Sequence, residues 1–147
     1  MGNLDSLKSM DTNTKGKITE LEVLTYVTKL GISVSIPYGD KDRYDQIWDI
    51  NKKLYKIQVK TSKWKEENKS FTFKCKTTYL RSSGYKESYY TKDDIDFFAT
   101  FFNGKCYLIP VEECSTQKVL RFEPPANHQK DYNKAENYEV EEVLKRI

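Results

Sequence analysis

The stretch Tyr44-Asp45-Gln46-Ile47-Trp48-Asp49-Ile50-Asn51-Lys52-Lys53-Leu54-Tyr55-Lys56-Ile57-Gln58-Val59-Lys60-Thr61 decides how this chain folds. Two runs rich in β-branched and aromatic residues, Tyr44–Ile50 and Leu54–Thr61, flank the short polar loop Asn51-Lys52-Lys53, which predicts a β-hairpin. Side chains alternate faces along a strand, so Gln58 and Lys60 project together. Pairing about a loop centred on Lys52 sets Asp45 opposite Val59, near the open end of the hairpin. An acid, a base, an amide and a main-chain carbonyl then converge on one spot.

Upstream, Thr19–Leu30 has helical periodicity. Val23, Leu24, Val27 and Leu30 fall on one apolar stripe with Glu20 in its middle, an unusual place for a surface glutamate. Gly31 closes the helix, and Thr19-x-x-Glu22 reads as a capping box that accounts for Glu22. Ile32–Pro37 is strand-like. Downstream, Ser70–Thr78 alternates Phe71, Phe73 and Cys75 against polar neighbours, as a half-buried strand does. Tyr79 to Lys92 is polar, rich in tyrosine and without clear period. Ile95–Phe102 and Lys105–Ile109 flank Asn103-Gly104, a strong hairpin signal. A strand near Lys118–Phe122, a Pro124-Pro125 loop and a final helix over Lys134–Arg146 complete the pattern. The expected fold is α+β, a mixed central β-sheet flanked by helices, in one domain over 1–147 with residues 1–13 loosely ordered.

The length of 147 residues suits one core. No apolar run approaches the ~20 residues of a membrane helix, and Met1 to Met10 lacks the hydrophobic segment of a signal peptide. Cys75, Cys106 and Cys114 are odd in number and widely spaced. With the single His128 they make neither a zinc site nor a disulfide framework, so a reducing cytoplasm is the expected location. His128 itself reads as a loop residue rather than a general base. Charge is uneven: residues 1–92 carry 18 Lys/Arg against 11 Asp/Glu, and residues 93–147 carry 7 against 11. The first part is therefore fit to meet a polyanion. From 63 to 92, basic residues interleave with aromatics. Lys63, Lys65, Lys74, Lys76, Arg81, Tyr85 and Lys86 are the expected nucleic-acid contacts: the lysines to phosphates, Arg81 and nearby tyrosines to base edges. Phe71 and Phe73 are expected in the core.

The convergence at the hairpin end suits phosphodiester hydrolysis. A hard cation such as Mg2+ takes oxygen ligands and keeps several waters, so one carboxylate plus a carbonyl and a phosphate oxygen can hold it. Asp45 is the expected metal ligand, Lys60 the charge stabiliser, and Gln58 an amide ligand or water-positioner. A plain cross-strand ion pair between Asp45 and Lys60 is the alternative reading. Asp40, Asp42 and Asp49 read as loop or exposed acids, Asp42 being the one nearest the site.

These motifs together resemble the PD-(D/E)xK nuclease superfamily, and more narrowly a branch related to group I intron homing endonucleases with a QxK motif. The matching parts are Lys15-Gly16 with Glu20, Gly31 and Pro37, Arg43-Tyr44-Asp45, and Ile57-Gln58-Val59-Lys60-Thr61. Asp96-Phe97-Phe98, Leu108-Ile109-Pro110, and Asn127 with Gln129 also match. The resemblance spans roughly residues 15–140 and implies a restriction-endonuclease-like core. It also implies that Glu20 and Asp45 supply acidic metal ligation with the Val59 carbonyl, and Lys60 the basic role. Gln58 departs from the usual Asp or Glu, which removes a negative charge and gives Glu20 more weight. The expected activity is Mg2+-dependent cleavage of double-stranded DNA, with Mn2+ as substitute metal, by a homo-oligomer (dimer or tetramer). A homing role is the narrower form. A junction-resolving or repair nuclease, or an inactive DNA-binding module, are the alternatives.

Overall fold

Asn51 and Lys52 both take left-handed backbone, with φ of 53° and 67°. They make the two-residue turn whose twist matches a β-hairpin. The computed structural model describes residues 10–39 and 41–147. Its strands β2 (Gln46–Ile50) and β3 (Lys53–Val59) pair antiparallel, Ile50 with Lys53 and Gln46 with Ile57. The expected loop was one residue longer, and the difference shifts the register by one. Asp45, continued along the ladder, stands opposite Gln58 rather than Val59. Because strand side chains alternate, that slip moves Asp45 onto the face of Gln58 and Lys60.

The first helix, α1 (Thr12–Lys29), begins seven residues before the expected Thr19. Asp11 is its N-cap and accepts from the Thr14 N–H at 2.7 Å. Thr19 is therefore not a cap and Thr19-x-x-Glu22 is not a capping box: the Thr19 hydroxyl donates back to the Lys15 carbonyl at 2.9 Å within the helix. Of the segment 1–13, residues 1–9 lie outside the described residues, and Thr12 and Asn13 open α1. At the other end Gly31, with φ of +89°, closes the helix as expected. Its N–H reaches Thr28 and that of Ile32 reaches Val27, the paired bonds of a Schellman cap.

A five-stranded sheet runs in the order β1-β2-β3-β8-β9, where β1 is Ser33–Ser35, β8 Phe97–Phe102 and β9 Lys105–Pro110. All neighbours are antiparallel except β3 and β8. The β8–β9 turn is Asn103-Gly104, both with positive φ, as expected. On one sheet face, Val23 and Val27 of α1 and Val140 and Val143 of α2 (Val140–Leu144) cover Trp48, Ile57, Val59 and Leu108. On the other face lies a three-stranded sheet, β10-β5-β4, formed by Gln117–Arg121, Ser70–Lys74 and Lys63–Glu66. Its Phe71, Phe73 and Leu120 pack with Phe98, Tyr107 and Ile109. The architecture is α+β, with β8 buried on both faces.

Three expectations change. The expected strand Ser70–Thr78 breaks at Cys75, whose N–H turns to the Thr116 carbonyl. After the break, β6 (Lys76–Arg81) pairs with β7 (Gly84–Tyr89) as a separate two-stranded ribbon, so the stretch from Tyr79 to Lys92 is largely strand. Its period was hidden because both ribbon faces are wet and neither needs an apolar alternation. The final helix is not continuous over Lys134–Arg146. Ala135–Tyr138 is a 3-10 turn, and Glu139, with ψ of 139°, separates it from α2.

Candidate active site

The open end of the β2–β3 hairpin lies beside the middle of α1. Asp45 enters from the chain just before β2, its N–H donating to the Ile57 carbonyl at 2.8 Å. Its Oδ2 accepts from the Val59 N–H at 2.9 Å. The carboxylate is thereby fixed against the strand that carries Gln58 and Lys60. Glu20 reaches the same place from α1. What holds it there is Gln46, only 1% exposed. The Gln46 amide donates to the Glu20 carbonyl at 3.0 Å, and its oxygen accepts from the Trp48 indole N–H at 2.9 Å. Thr19, buried beside it, meets the Thr61 hydroxyl at 3.0 Å and ties α1 to the chain just past Lys60.

The electrostatics follow from this crowding. Burial raises the Glu20 carboxyl above its ordinary value, and the Asp45 charge raises it further; Lys17 pulls the other way. Burial also raises Asp45, although the Val59 N–H, Lys60, a hydrogen bond from Glu20 and Lys17 all lower it. The contact between the two acids raises Glu20 and lowers Asp45, so they titrate as a pair. Two carboxyl groups that resist ionisation side by side need a counter-charge. Lys60 supplies it to Asp45, while Lys17 acts on both.

Gln58 turns its amide to the Val59 carbonyl at 3.5 Å. Two carboxyl oxygens, an amide and a main-chain carbonyl make a hard-oxygen donor set of the kind Mg2+ takes, with positions left for water. Among the described residues no three His, Cys, Asp or Glu side chains gather to hold a metal, so the fit rests on this mixed set. A cavity of about 600 Å3 opens on the two acids, lined by Lys17, Glu20, Asp42, Tyr44, Asp45 and the loop 36–39; Gln58, Val59 and Lys60 are not in its wall. Asp42 lies at the site as expected. Asp49 is exposed elsewhere, and Asp40 lies outside the described residues. His128 is exposed in a turn.

Sequence reasoning missed Lys17, Gln46 and Tyr90. Lys17 sits three residues before Glu20, hence on the same helix side, but was hidden by starting the helix at Thr19. Tyr90 lies 5.1 Å from the Lys60 ammonium and 4.0 Å from the Arg43 guanidinium. Arg43 also donates to the Tyr89 carbonyl and to Asp94. For Gln46 no signal existed, because a buried amide between a strand and a helix has no sequence signature.

The expected nucleic-acid residues lie apart from the carboxyl pair. Lys63 and Lys65 are exposed on β4, Lys74 at the end of β5, and Arg81, Tyr85 and Lys86 on the ribbon. Lys76 is half-buried and paired with Glu87. Trp64, from the same basic stretch, packs into the core against Phe102 and Phe122. Cys75, Cys106 and Cys114 are free thiols. No described helix is long and apolar enough to cross a membrane.

No curated protein sequence matches the chain. Among solved structures, a bacterial homing endonuclease, I-Ssp6803I, superposes with a TM-score of 0.75 at 22% identity. The match covers 93% of this chain and 95% of that one, and it shows a shared fold. A family model described as PD-(D/E)XK endonuclease matches residues 10–141, which include the α1 acid, the hairpin and the parallel β3–β8 pair. On that match the chain belongs to the PD-(D/E)XK endonuclease family, and its fold is restriction-endonuclease-like.

Proposed function

We propose that this nuclease is a metal-dependent endonuclease that hydrolyses phosphodiester bonds in duplex DNA, acting as one domain in a reducing cytoplasm. A homing role is the narrower form, supported by the shared fold with I-Ssp6803I. The observation that carries the reading is the hairpin register that puts Asp45 on the face of Gln58 and Lys60, with Glu20 lining the same cavity as Asp45. Asp45 and Glu20, with the Val59 carbonyl and the Gln58 amide oxygen, would hold Mg2+, with Mn2+ as substitute. Bound there, the metal supplies an acidified water and polarises the scissile phosphate.

The chain's own residues do the rest. Lys60 stabilises the charge that builds on the phosphoryl oxygens in the transition state. The Val59 N–H fixes the Asp45 carboxylate, and Gln46 fixes the backbone of Glu20. Lys63, Lys65, Lys74, Lys76, Arg81, Tyr85 and Lys86 supply the DNA surface, mostly through phosphates. One site per chain implies a homo-oligomer for cutting both strands.

Plasmid cleavage in Mg2+ tests the reading. Wild type is expected to cut, and Asp45→Ala and Lys60→Ala to cut at least ~100-fold more slowly while still binding duplex. A wild type that binds DNA and cuts no substrate ends the enzyme reading and leaves a DNA-binding module, a role the neutral Gln58 favours. Preference for a four-way junction over linear duplex moves the function to junction resolution.

A further inference from the structure

Among the described residues the β6–β7 ribbon pairs with no other strand, and most of its side chains are exposed on both faces. Its register sorts twelve residues into two faces of different chemistry. Pairing of Lys76 with Tyr89, Thr78 with Glu87 and Leu80 with Tyr85 puts these six on one face. There the Lys76 and Glu87 charges cancel in an ion pair, and the Tyr89 hydroxyl donates to Glu87 at 2.8 Å. What remains is apolar: Leu80 is 69% and Tyr85 77% exposed. Thr77, Tyr79, Arg81, Gly84, Lys86 and Ser88 form the other face. Its two cations have no acidic partner on that face, and the Arg81 guanidinium stacks 5.1 Å from the Tyr79 ring. Stacking leaves the planar fork of arginine held and its donors outward.

The cationic face is the one continuous with the site. Tyr90 follows Tyr89 and so alternates onto it. The Thr77 hydroxyl bonds the Tyr90 hydroxyl at 2.8 Å, and the Tyr90 ring lies 5.1 Å from Lys60. A duplex seated on Lys60 therefore runs along the Arg81 side. Arg43 holds this root through the Tyr89 carbonyl. From Thr77 to Arg81 the ribbon advances four residues, ~14 Å at ~3.4 Å per residue. At ~3.4 Å of rise per nucleotide this is about four base pairs of duplex. A two-stranded ribbon is of a size the major groove admits, and arginine pairs with guanine there through two hydrogen bonds.

We infer that the Arg81 face of the ribbon reads a base pair in the major groove roughly four base pairs from the scissile phosphate, and that the Leu80–Tyr85 face does not touch DNA. The inference rests on the DNA-endonuclease reading and narrows its surface: Lys76 and Tyr85 leave the contact set, and Lys86 stays as a phosphate contact.

The test is cleavage, in Mg2+, of a duplex pool with a randomised core, followed by sequencing of the cut ends. Wild type is expected to prefer one base pair, with guanine, at that distance from the cut. Arg81→Ala flattens that position by about 10- to 100-fold and keeps the preferences elsewhere. Tyr85→Ala leaves the whole profile unchanged. An unaltered profile in Arg81→Ala, an equal loss in Tyr85→Ala, or wild-type cutting without preference overturns the inference and leaves the nuclease reading standing. A pool that wild type leaves intact overturns the nuclease reading and takes the inference with it.

Discussion

Replacing Gln46 with leucine isolates the link between core and site. Gln46 and Trp48 are 1% and 0% exposed, so the indole N–H has no water to turn to when its acceptor is removed. Leucine keeps the volume of glutamine but leaves that donor unpaired, at about 1–3 kcal/mol. The Glu20 carbonyl loses its side-chain donor and keeps its helix bond to the fourth residue on. In a chain of this size ~1 kcal/mol moves the melting temperature by about 2–4 °C. Gln46→Leu should therefore melt roughly 2–12 °C below wild type. Trp48→Phe removes the stranded donor, so in the double variant the two losses should fall short of their sum by at least ~0.5 kcal/mol. Calorimetry of the four proteins measures the coupling. Cleavage should suffer beyond the loss of fold, with kcat falling more than duplex affinity, because Glu20 loses its tether. Wild-type melting in Gln46→Leu, or strict additivity in the cycle, refutes the argument.

The raised carboxyl groups of Glu20 and Asp45 bind protons more tightly in the folded chain than in the unfolded one, so without metal they weaken the fold as pH rises through their folded values. Melting against pH, from the ordinary carboxylate range up to neutrality, should fall more steeply for wild type than for Glu20→Gln/Asp45→Asn, and Mg2+ should raise the wild-type melting point most near neutral pH; parallel curves count against the pair. Lys74→Ala, on an exposed strand end, should lower the slope of log affinity against log salt by about one. The same change at Lys76, already paired with Glu87, should lower it less, and equal slopes for all three proteins sink that surface. Gly104→Ala forces a Cβ into a backbone of φ +85° and should cost about 1 kcal/mol in thermal unfolding with cleavage retained.

How far the sequence could be read depended on whether a residue had an apolar face to set its pattern. The β8–β9 hairpin was legible because Asn103-Gly104 is a turn with its own chemistry. So was the closing of α1 at Gly31. The ribbon was not, since strands wet on both sides carry no alternation. The β2–β3 register went astray by one residue because Asn51-Lys52 turns tightly without a glycine. Asp45, Gln58 and Lys60 were still picked out as a group, and the observed register brings Asp45 onto the other two's face better than the expected one did. Thr19 was misread because a hydroxyl that bonds inside a helix looks the same in sequence as one that caps it. Gln46 and Tyr90 act through partners distant in the chain, and only folding reveals those.

A ribbon of two strands has little stability of its own. This one is held at its base, by Arg43 on the Tyr89 carbonyl, by the Tyr90 ring packed edge-on against Phe98 and by the Cys75 N–H on the Thr116 carbonyl. It works as a cantilever. Amide protons should exchange fastest around Ser82 and Ser83 and slow steadily toward Cys75, so the arm can sweep at its tip while the tyrosine beside Lys60 stays still.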